Sequence, residues 1–265
     1  PFSERVLNNI KDPKKNTLYI LEISSFQLEF IKHFSPDILV YTNISPDHLD
    51  RHGSMEEYIN MKLNALKNMK DKGQIVYNKD DSILEEVLSP FLFKKQPFSI
   101  KSKDVLYNID NKNIIGPSDD KILEIDELGI PGEHNLQNFL AASTCSHLMG
   151  ISQNQIVRTL KEFKGVEHRL EYVRTINEVE YINDSKATNI NSVIVAINTF
   201  DQPIVLILGG FNKGANFRLL LPHIKSSHVR DIVSYGDAGG QINTALGDAV
   251  RSVQVTDLSL SLIHI

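Results

Sequence analysis

Short apolar runs alternate with stretches of helical periodicity along most of the chain. Runs rich in β-branched residues, typical of buried strands, cover residues 17–24, 36–44 and 73–78. Residues 54–69 repeat apolar side chains at helical spacing, and residues 132–150 do the same before a glycine that can end a helix. Two further runs, residues 104–116 and 121–130, predict small antiparallel strands.

Three of the predicted helices begin with the sequence of a capping box, in which a serine precedes Glu or Gln by three positions. The pairs are Ser54 with Glu57, Ser82 with Glu85, and Ser152 with Gln155.

The alternation of strands and helices restarts in the last third of the chain and decides the predicted fold. Strands are predicted at 179–184, 203–210 and 229–236, with helices at 189–200 and 217–225 between them. Such alternation predicts α/β architecture with mostly parallel, doubly wound sheets. With a boundary near Gly165, we expect two consecutive α/β domains, residues 1–165 and 166–265.

The composition and net charge of the chain exclude several classes of protein. The 265 residues are 41% hydrophobic and 23% charged, which is typical of globular proteins. A formal net charge of −5 without a basic stripe argues against a nucleic-acid partner. The apolar runs are shorter than the ~20 residues of a membrane span, and no secretory leader pattern is present. We therefore expect a cytoplasmic protein.

One lysine lies on the apolar face of the helix predicted at residues 54–69. Lys62 falls midway between Met55 and Met69, on the face that they share with Tyr58. A buried ammonium is costly, so it must pair, reach solvent or lose its proton. A neutral lysine can take up CO₂ to become a carbamate, which is an anionic metal ligand. A lysine that reaches solvent or pairs with a carboxylate is the simpler alternative.

Polar residues follow two of the predicted strands. Asp47 and His48 come after the strand at 36–44, at the end where parallel sheets bind ligands. Both side-chain types bind divalent metals, and carboxylates suit Mg²⁺. An Asp-rich turn with solvated histidines explains the same residues without a ligand.

A carboxylate also ends the strand predicted at 17–24, where burial would require a partner or a cation. Glu22 stands there, beside the hydrogen-bonding residues Ser24 and Ser25. Together with His48 and Lys62, it would suit a Mg²⁺ ion near a phosphate.

Two loops follow strands in the last third of the chain. In NDSKATN, residues 183–189, Asp184, Lys186 and Thr188 precede a helix, where an anion would be favoured; simple helix capping explains the loop equally. The loop LGGFNKG contributes Lys213, but the phosphate-loop spacing GxxxxGK(S/T) is absent from the sequence.

Taken together, these segments resemble a known family. LEISSFQLE, TNISPDHLDRHGSMEEYINMKL, GEHNLQNFLAA, HRLE, INDSKATN and LGGFNKG occur in the order and spacing of the Mur ligases, from about residue 18 to residue 216. SSFQLE and NDSKATN are most similar to the family members that add D-glutamate.

The resemblance implies roles for particular residues, and ATP and Mg²⁺ as cofactors. It implies an incomplete central ATP-binding domain followed by a truncated Rossmann-like domain. Glu22, His48 and Lys62, the last as a carbamate, would bind Mg²⁺ and act in catalysis. The residues implied to contact ATP are His134, Asn135, Asn138, Arg169 and Asp184. The residues implied to contact the other substrates are Ser24, Ser25, Lys186, Thr188 and Lys213.

The implied reaction forms an amide bond during peptidoglycan synthesis. ATP would phosphorylate the carboxylate of UDP-N-acetylmuramoyl-L-alanine, and the amine of D-glutamate would attack the acyl phosphate. We expect a monomer with these small-molecule substrates. The family's first domain, its glycine-rich ATP loop and the end of its third domain have no counterpart in the sequence, so we expect the isolated chain to be an inactive fragment.

Two alternatives remain open at this point. A related Mur or folylpolyglutamate-type ligase could use another amino acid, although NDSKATN argues against it. A nucleotide-binding module could have lost catalysis, although the set Glu22, His48 and Lys62 argues against long-standing loss.

Overall fold

The computed structural model describes residues 17–130, 132–212 and 214–259, and it has mixed α/β architecture. The chain forms two compact units. Among the described residues, the first comprises 17–76 together with 81–95, and the second comprises 77–80 and those from 96 onward. The boundary predicted near Gly165 lies within the second unit, and the two-domain division there stays a prediction.

The first part of the chain alternates short helices with three strands. In chain order the elements are α1 (Ser25–Glu29), β1 (Ile38–Tyr41), α2 (Leu49–His52), α3 (Met55–Leu63), β2 (Gln74–Asn78), α4 (Ser82–Leu88) and β3 (Lys94–Phe98). The strands form one sheet in the order β1–β2–β3, and α3 continues as a 3₁₀ turn at Asn64–Leu66. The central strand β2 buries Ile75 and Val76 completely, as its run of β-branched residues predicts.

The remaining elements begin with the small antiparallel sheet that the sequence predicts. They are β4 (Asn108–Asp110), β5 (Asn113–Ile115), β6 (Lys121–Glu124), α5 (Glu133–Leu148), α6 (Gln153–Glu162), β7 (Glu171–Ile176), β8 (Val179–Asn183), α7 (Ile190–Asn198), β9 (Ile204–Gly209), α8 (Leu221–Ser226), β10 (Val229–Tyr235), α9 (Gly239–Leu246) and β11 (Arg251–Gln254). Helix α5 ends before Gly150, which takes a left-handed φ of 76° and so closes the helix as predicted.

The last part of the described chain contains a parallel three-stranded sheet. Its order is β11–β10–β9, and β10 pairs in parallel with both neighbours. Ile232 of β10 is fully buried and packs in one core with Ile197 of α7, Ile224 of α8 and Ile242 of α9. Parallel strands covered by helices confirm the predicted α/β class.

The strand predicted at residues 17–24 is wrong. The backbone there is irregular, and the first regular element is helix α1. Leu18 is 55% exposed and Ile20 is 87% exposed, so this apolar run lacks the burial of a central strand.

The strand predicted at 179–184 exists as β8, but its pairing differs from a parallel sheet. It forms an antiparallel hairpin with β7, which the sequence pattern had not revealed. The turn residues Asn177 and Glu178 have positive φ values of 49° and 66°, which match the tight turns that join antiparallel strands.

The observed helix caps confirm two of the three predicted helix starts and correct the third. The Ser54 hydroxyl accepts the Glu57 N–H at 3.1 Å, and Ser152 with Gln155 forms the predicted capping box. At α4 the predicted cap is wrong, because Asp81 caps the helix in place of Ser82.

The Asp81 carboxylate accepts hydrogen bonds from two separate segments of the chain. Its Oδ1 accepts the N–H groups of Ile83 and Leu84 at 3.0 and 3.1 Å, while Oδ2 accepts the Ile44 N–H at 2.8 Å. A serine hydroxyl carries one oxygen and could not supply both sets of bonds. Asp81 therefore holds the chain that leaves β1 against the start of α4.

Among the described residues, no helix combines the length and the apolar character needed to cross a membrane.

Replacing Asp81 by Ala should lower the free energy of unfolding by roughly 2 kcal/mol or more, because a helix cap and a hydrogen bond to a charged group are both lost. Urea denaturation of the chain measures this loss. Ser82→Ala is the matched control, since Ser82 is exposed and does not cap the helix, and it should cost less than about 0.5 kcal/mol. Equal losses in the two variants would contradict the assignment of the cap.

Candidate active site

The turn after β1 directs two polar side chains towards solvent. His48 precedes α2 with a left-handed backbone, φ 53° and ψ 31°, which is uncommon for a residue other than glycine. Its Nε2 lies 3.8 Å from Oδ2 of Asp47, and the two side chains are 52% and 40% exposed. The turn therefore presents an imidazole and a carboxylate side by side.

Lys62 lies half-buried on α3, close to this turn. Its Nζ is 5.0 Å from the centre of the Tyr58 ring, and the Tyr41 hydroxyl donates to its backbone carbonyl at 3.0 Å. Burial lowers the pKa of the Lys62 ammonium, while the charge of Asp47 acts in the opposite direction. The environment thus increases the share of the neutral amine, which is the form that reacts with CO₂.

Ser24 and Ser25, both predicted to contact substrate, have structural partners. Ser24 caps α1 through a reciprocal pair of bonds with Gln27. Ser25 is 4% exposed, and its hydroxyl lies 3.0 Å from Nε2 of the buried His52. Their predicted contacts with substrate stay predictions.

Glu22 is placed differently from the other predicted metal ligands. It lies exposed in the irregular segment before α1. Across the part of the chain that the structure describes, no contact or charge interaction joins it to Asp47, His48 or Lys62, and no three His, Cys, Asp or Glu side chains lie close enough to hold a metal ion. The metal roles of Glu22, His48 and Lys62 stay predictions.

The donors near Lys62 nevertheless fit Mg²⁺ chemically. Asp47, His48 and a carbamate on Lys62 would supply carboxylate-type oxygens and one imidazole. Mg²⁺ in proteins is commonly held by one or two carboxylates, with waters and substrate phosphates completing the shell. The sequence indicates Asp47 and His48 as candidates for divalent-metal binding but does not connect Asp47 with Lys62. The effect of Asp47 on Lys62 depends on how the turn meets α3, which residue spacing does not encode.

In the second unit, three predicted nucleotide ligands come within electrostatic reach of one another. Burial lowers the pKa of His134, Asp184 opposes this shift, and Arg169 reinforces it. Burial also raises the pKa of Asp184, whose Oδ1 accepts the Leu170 N–H at 3.1 Å. An imidazole, a guanidinium and a carboxylate thus share one neighbourhood beside the first turn of α5.

The other predicted ligand residues lie on α5 and in the loop before α7. Asn135 and Asn138 lie on α5, the former partly buried and the latter exposed. Lys186 and Thr188 are exposed in the loop before α7, where the Asn189 side chain caps the helix by accepting the Ser192 N–H at 2.9 Å. Lys213 lies outside the described residues.

Replacing Lys62 by Met should raise the free energy of unfolding at neutral pH. The depressed pKa means that the charged side chain destabilises the fold below that pKa, and this penalty vanishes as pH approaches the ordinary lysine value of 10.5. The advantage of the Met variant should therefore shrink from pH 7 towards pH 10 in urea denaturation. Lys67→Met, at an exposed position on the same stretch, should show no such trend. A Met variant that is less stable at pH 7 would contradict this account.

Comparison with known proteins identifies relatives over most of the chain. The family model described as Mur ligase middle domain matches residues 4–146. Proteins named UDP-N-acetylmuramoylalanine–D-glutamate ligase are similar at 44% identity in Thermoanaerobacter sp. (strain X514), over 78% of this chain and 47% of the relative. The protein of that name from Clostridioides difficile (strain 630) is 40% identical over 89% of this chain and 53% of the relative. The chain thus spans about half the length of the curated relatives it matches.

Solved structures agree on the fold. The chain is similar to MurF from Acinetobacter baumannii with a TM-score of 0.69, at 16% identity, over 86% of this chain and 52% of that one. The similarity to UDP-N-acetylmuramate–alanine ligase MurC from Thermotoga maritima has a TM-score of 0.67, at 19% identity, over 91% of this chain and 55% of that one. From the family match and the fold together, the chain belongs to the Mur ligase family.

Proposed function

We propose that the chain is part of an ATP-dependent ligase that joins D-glutamate to UDP-N-acetylmuramoyl-L-alanine in peptidoglycan synthesis. The observation that carries this proposal is the half-buried Lys62 within electrostatic reach of Asp47, which lies beside His48, in a chain whose relatives are named for this reaction. The enzyme would act as a monomer in the cytoplasm.

The surroundings of Lys62 favour its conversion to a carbamate. Desolvation increases the share of neutral amine, whose nitrogen attacks the carbon of CO₂ and then releases a proton to water. The product carries a negative charge and two oxygens on the same side chain. Asp47, His48 and this carbamate would then hold Mg²⁺. A bound Mg²⁺ would offset charge on the transferred phosphoryl group and on the acyl phosphate.

Residues of the second unit would bind the nucleotide. Arg169 is exposed, and a guanidinium can meet phosphate oxygens with two parallel hydrogen bonds. The first turn of α5 adds the positive end of a helix dipole next to His134. Asp184 offers a carboxylate that can accept from a ribose hydroxyl. This division of charge suits a ligand with an anionic tail and a neutral, hydroxyl-bearing body.

The loop before α7 would meet the incoming amino acid. Lys186 is exposed there and carries a positive charge next to the Thr188 hydroxyl. Lys213 would add a second positive charge, which suits the two carboxylates of D-glutamate. Lysine suits this task because it pairs with carboxylates as a compact point charge.

The assignment is tested in the context of a full-length relative. We would replace the matching segment of the C. difficile protein with this chain, then measure phosphate release with ATP, Mg²⁺ and UDP-N-acetylmuramoyl-L-alanine. Release should require D-glutamate and should not occur with L-glutamate, L-lysine or diaminopimelate. Lys62→Ala should reduce the rate at least about 100-fold, the scale on which lost electrostatic stabilisation acts.

The exposed Lys67 provides the control, because Lys67→Ala should leave the rate unchanged. Release that depends on another amino acid would replace the substrate assignment with a related ligase activity. A folded chimera that releases no phosphate with any amino acid would support the non-catalytic nucleotide-binding alternative.

Arg169 provides a separate test of the nucleotide site in the same chimera. Arg169→Ala should raise the KM for ATP about tenfold or more, because a charge-assisted hydrogen bond is worth roughly 1.5–3 kcal/mol and tenfold corresponds to about 1.4. Arg174→Ala, which removes an exposed guanidinium from β7, should leave that KM unchanged. Equal effects of the two substitutions would mean that Arg169 contributes only general positive charge.

A further inference from the structure

A row of aromatic rings links the turn that carries His48 to the helix that carries Lys62. The Phe26 ring centre lies 4.9 Å from that of His48, in an edge-to-face arrangement, and 5.3 Å from that of His52. The His52 ring centre is 5.3 Å from that of Tyr58, and Nζ of Lys62 is 5.0 Å from the Tyr58 ring. The ring row therefore runs from His48 through Phe26, His52 and Tyr58 to Lys62.

His52 occupies the centre of this row and is the best-anchored polar side chain in it. It is 7% exposed, and its Nε2 lies 3.0 Å from the hydroxyl of Ser25, which is 4% exposed. Its ring lies nearly parallel to that of Phe26, with an angle of 16° between the planes. Since Ser25 begins α1 and His52 ends α2, one buried hydrogen bond fixes the ring that both neighbours pack against.

We propose that His52 is a positioning residue for the candidate active site: held by Ser25, it keeps Phe26 and Tyr58 in the orientations against which the His48 ring and the Lys62 ammonium pack. The importance of His48 and Lys62 rests on the proposed function. The positioning itself rests on the ring geometry alone.

The His52 side chain makes two contacts, with Phe26 and with Ser25, that together require an imidazole. Stacking on Phe26 requires a flat ring, and the bond to Ser25 requires a ring nitrogen. Phenylalanine would supply the ring without the bond. Alanine would supply neither, and Phe26 and Tyr58 could then turn into the vacated space. His48 would lose its edge-to-face partner and Lys62 its ring, whereas the hydrogen bond from the His52 backbone N–H to the His48 carbonyl, 3.0 Å long, does not depend on the side chain.

Ring-current shifts in NMR spectra of the 265-residue chain measure this positioning directly. The Hε1 proton of His48 reports the Phe26 ring, and the Hε protons of Lys62 report the Tyr58 ring. The signals are assigned by their loss in His48→Gln and Lys62→Arg. His52→Ala should move both sets of signals towards those of solvent-exposed histidine and lysine. Ser25→Ala and His52→Phe should move them part of the way.

Phe30→Ala is the control, because Phe30 is a 73% exposed ring just after α1 that lies outside the row. It should leave both sets of signals unchanged. A purely structural role for His52 predicts a lower urea midpoint with unchanged His48 and Lys62 signals in the folded variants, and that result would overturn the proposal. If His52→Ala does not fold, Ser25→Ala and His52→Phe decide the question below their unfolding transitions.

A second readout separates this inference from the proposed function. In ¹³C-bicarbonate, the chain should show a carbamate signal that disappears in Lys62→Arg, falls at least about fivefold in His52→Ala and persists in Phe30→Ala. If the unaltered chain shows no such signal, the carbamate step of the proposed function fails, while the ring-current shifts still decide the positioning role. An unchanged carbamate signal in folded His52→Ala would count against the proposal.

Discussion

The partial burial of the Lys62 ammonium is the constraint on which the candidate active site depends. Desolvation disfavours the charge, and among the described residues no carboxylate lies within ion-pair distance of Nζ to repay that cost. Asp47 compensates at longer range, and the Tyr58 ring offers its electron-rich face. These interactions lessen the penalty without removing it, so the pKa of Lys62 remains lowered.

The segments around Lys62 are short, and side-chain hydrogen bonds to residues distant in sequence hold them in place. Helix α2 has four residues and α1 has five, lengths at which helices do not persist without tertiary support. Asp81 secures the chain leaving β1 through the Ile44 N–H, and Ser25 secures the end of α2 through His52. The position of His48 therefore follows from contacts made by side chains well separated from it in sequence.

The periodicity of the sequence predicted the helices and strands of this fold more completely than it predicted which of them contact one another. The start of α3, the capping box of α6 and the parallel sheet near the end of the chain all follow from local patterns. The error at α4 has a local cause, because Asp81 and Ser82 are adjacent and both can cap a helix.

The error in the strand predicted at residues 17–24 has a different cause. An apolar run indicates burial only if something covers it, and that depends on the rest of the fold rather than on the run itself. The pairs Asp47 with Lys62, Ser25 with His52, and His134 with Asp184 likewise join distant segments. Sequence spacing identified most of these residues as candidates and could not identify their partners.

The cause of each pKa shift distinguishes candidate site residues from ordinary surface pairs. The pKa of Glu127 is lowered by its hydrogen bond to Lys161 at the surface, an interaction that favours the charged form and the fold together. At Lys62, His134 and Asp184 the leading cause is burial, which disfavours the charged form and therefore costs stability. Ionisable groups whose burial costs stability are concentrated at sites where a bound ligand later offsets that cost. All three residues were singled out from the sequence for ligand binding, but burial is also the leading cause of the pKa shifts of Tyr41, Tyr107 and Cys145. The shifts therefore support the two proposed neighbourhoods only together with their geometry.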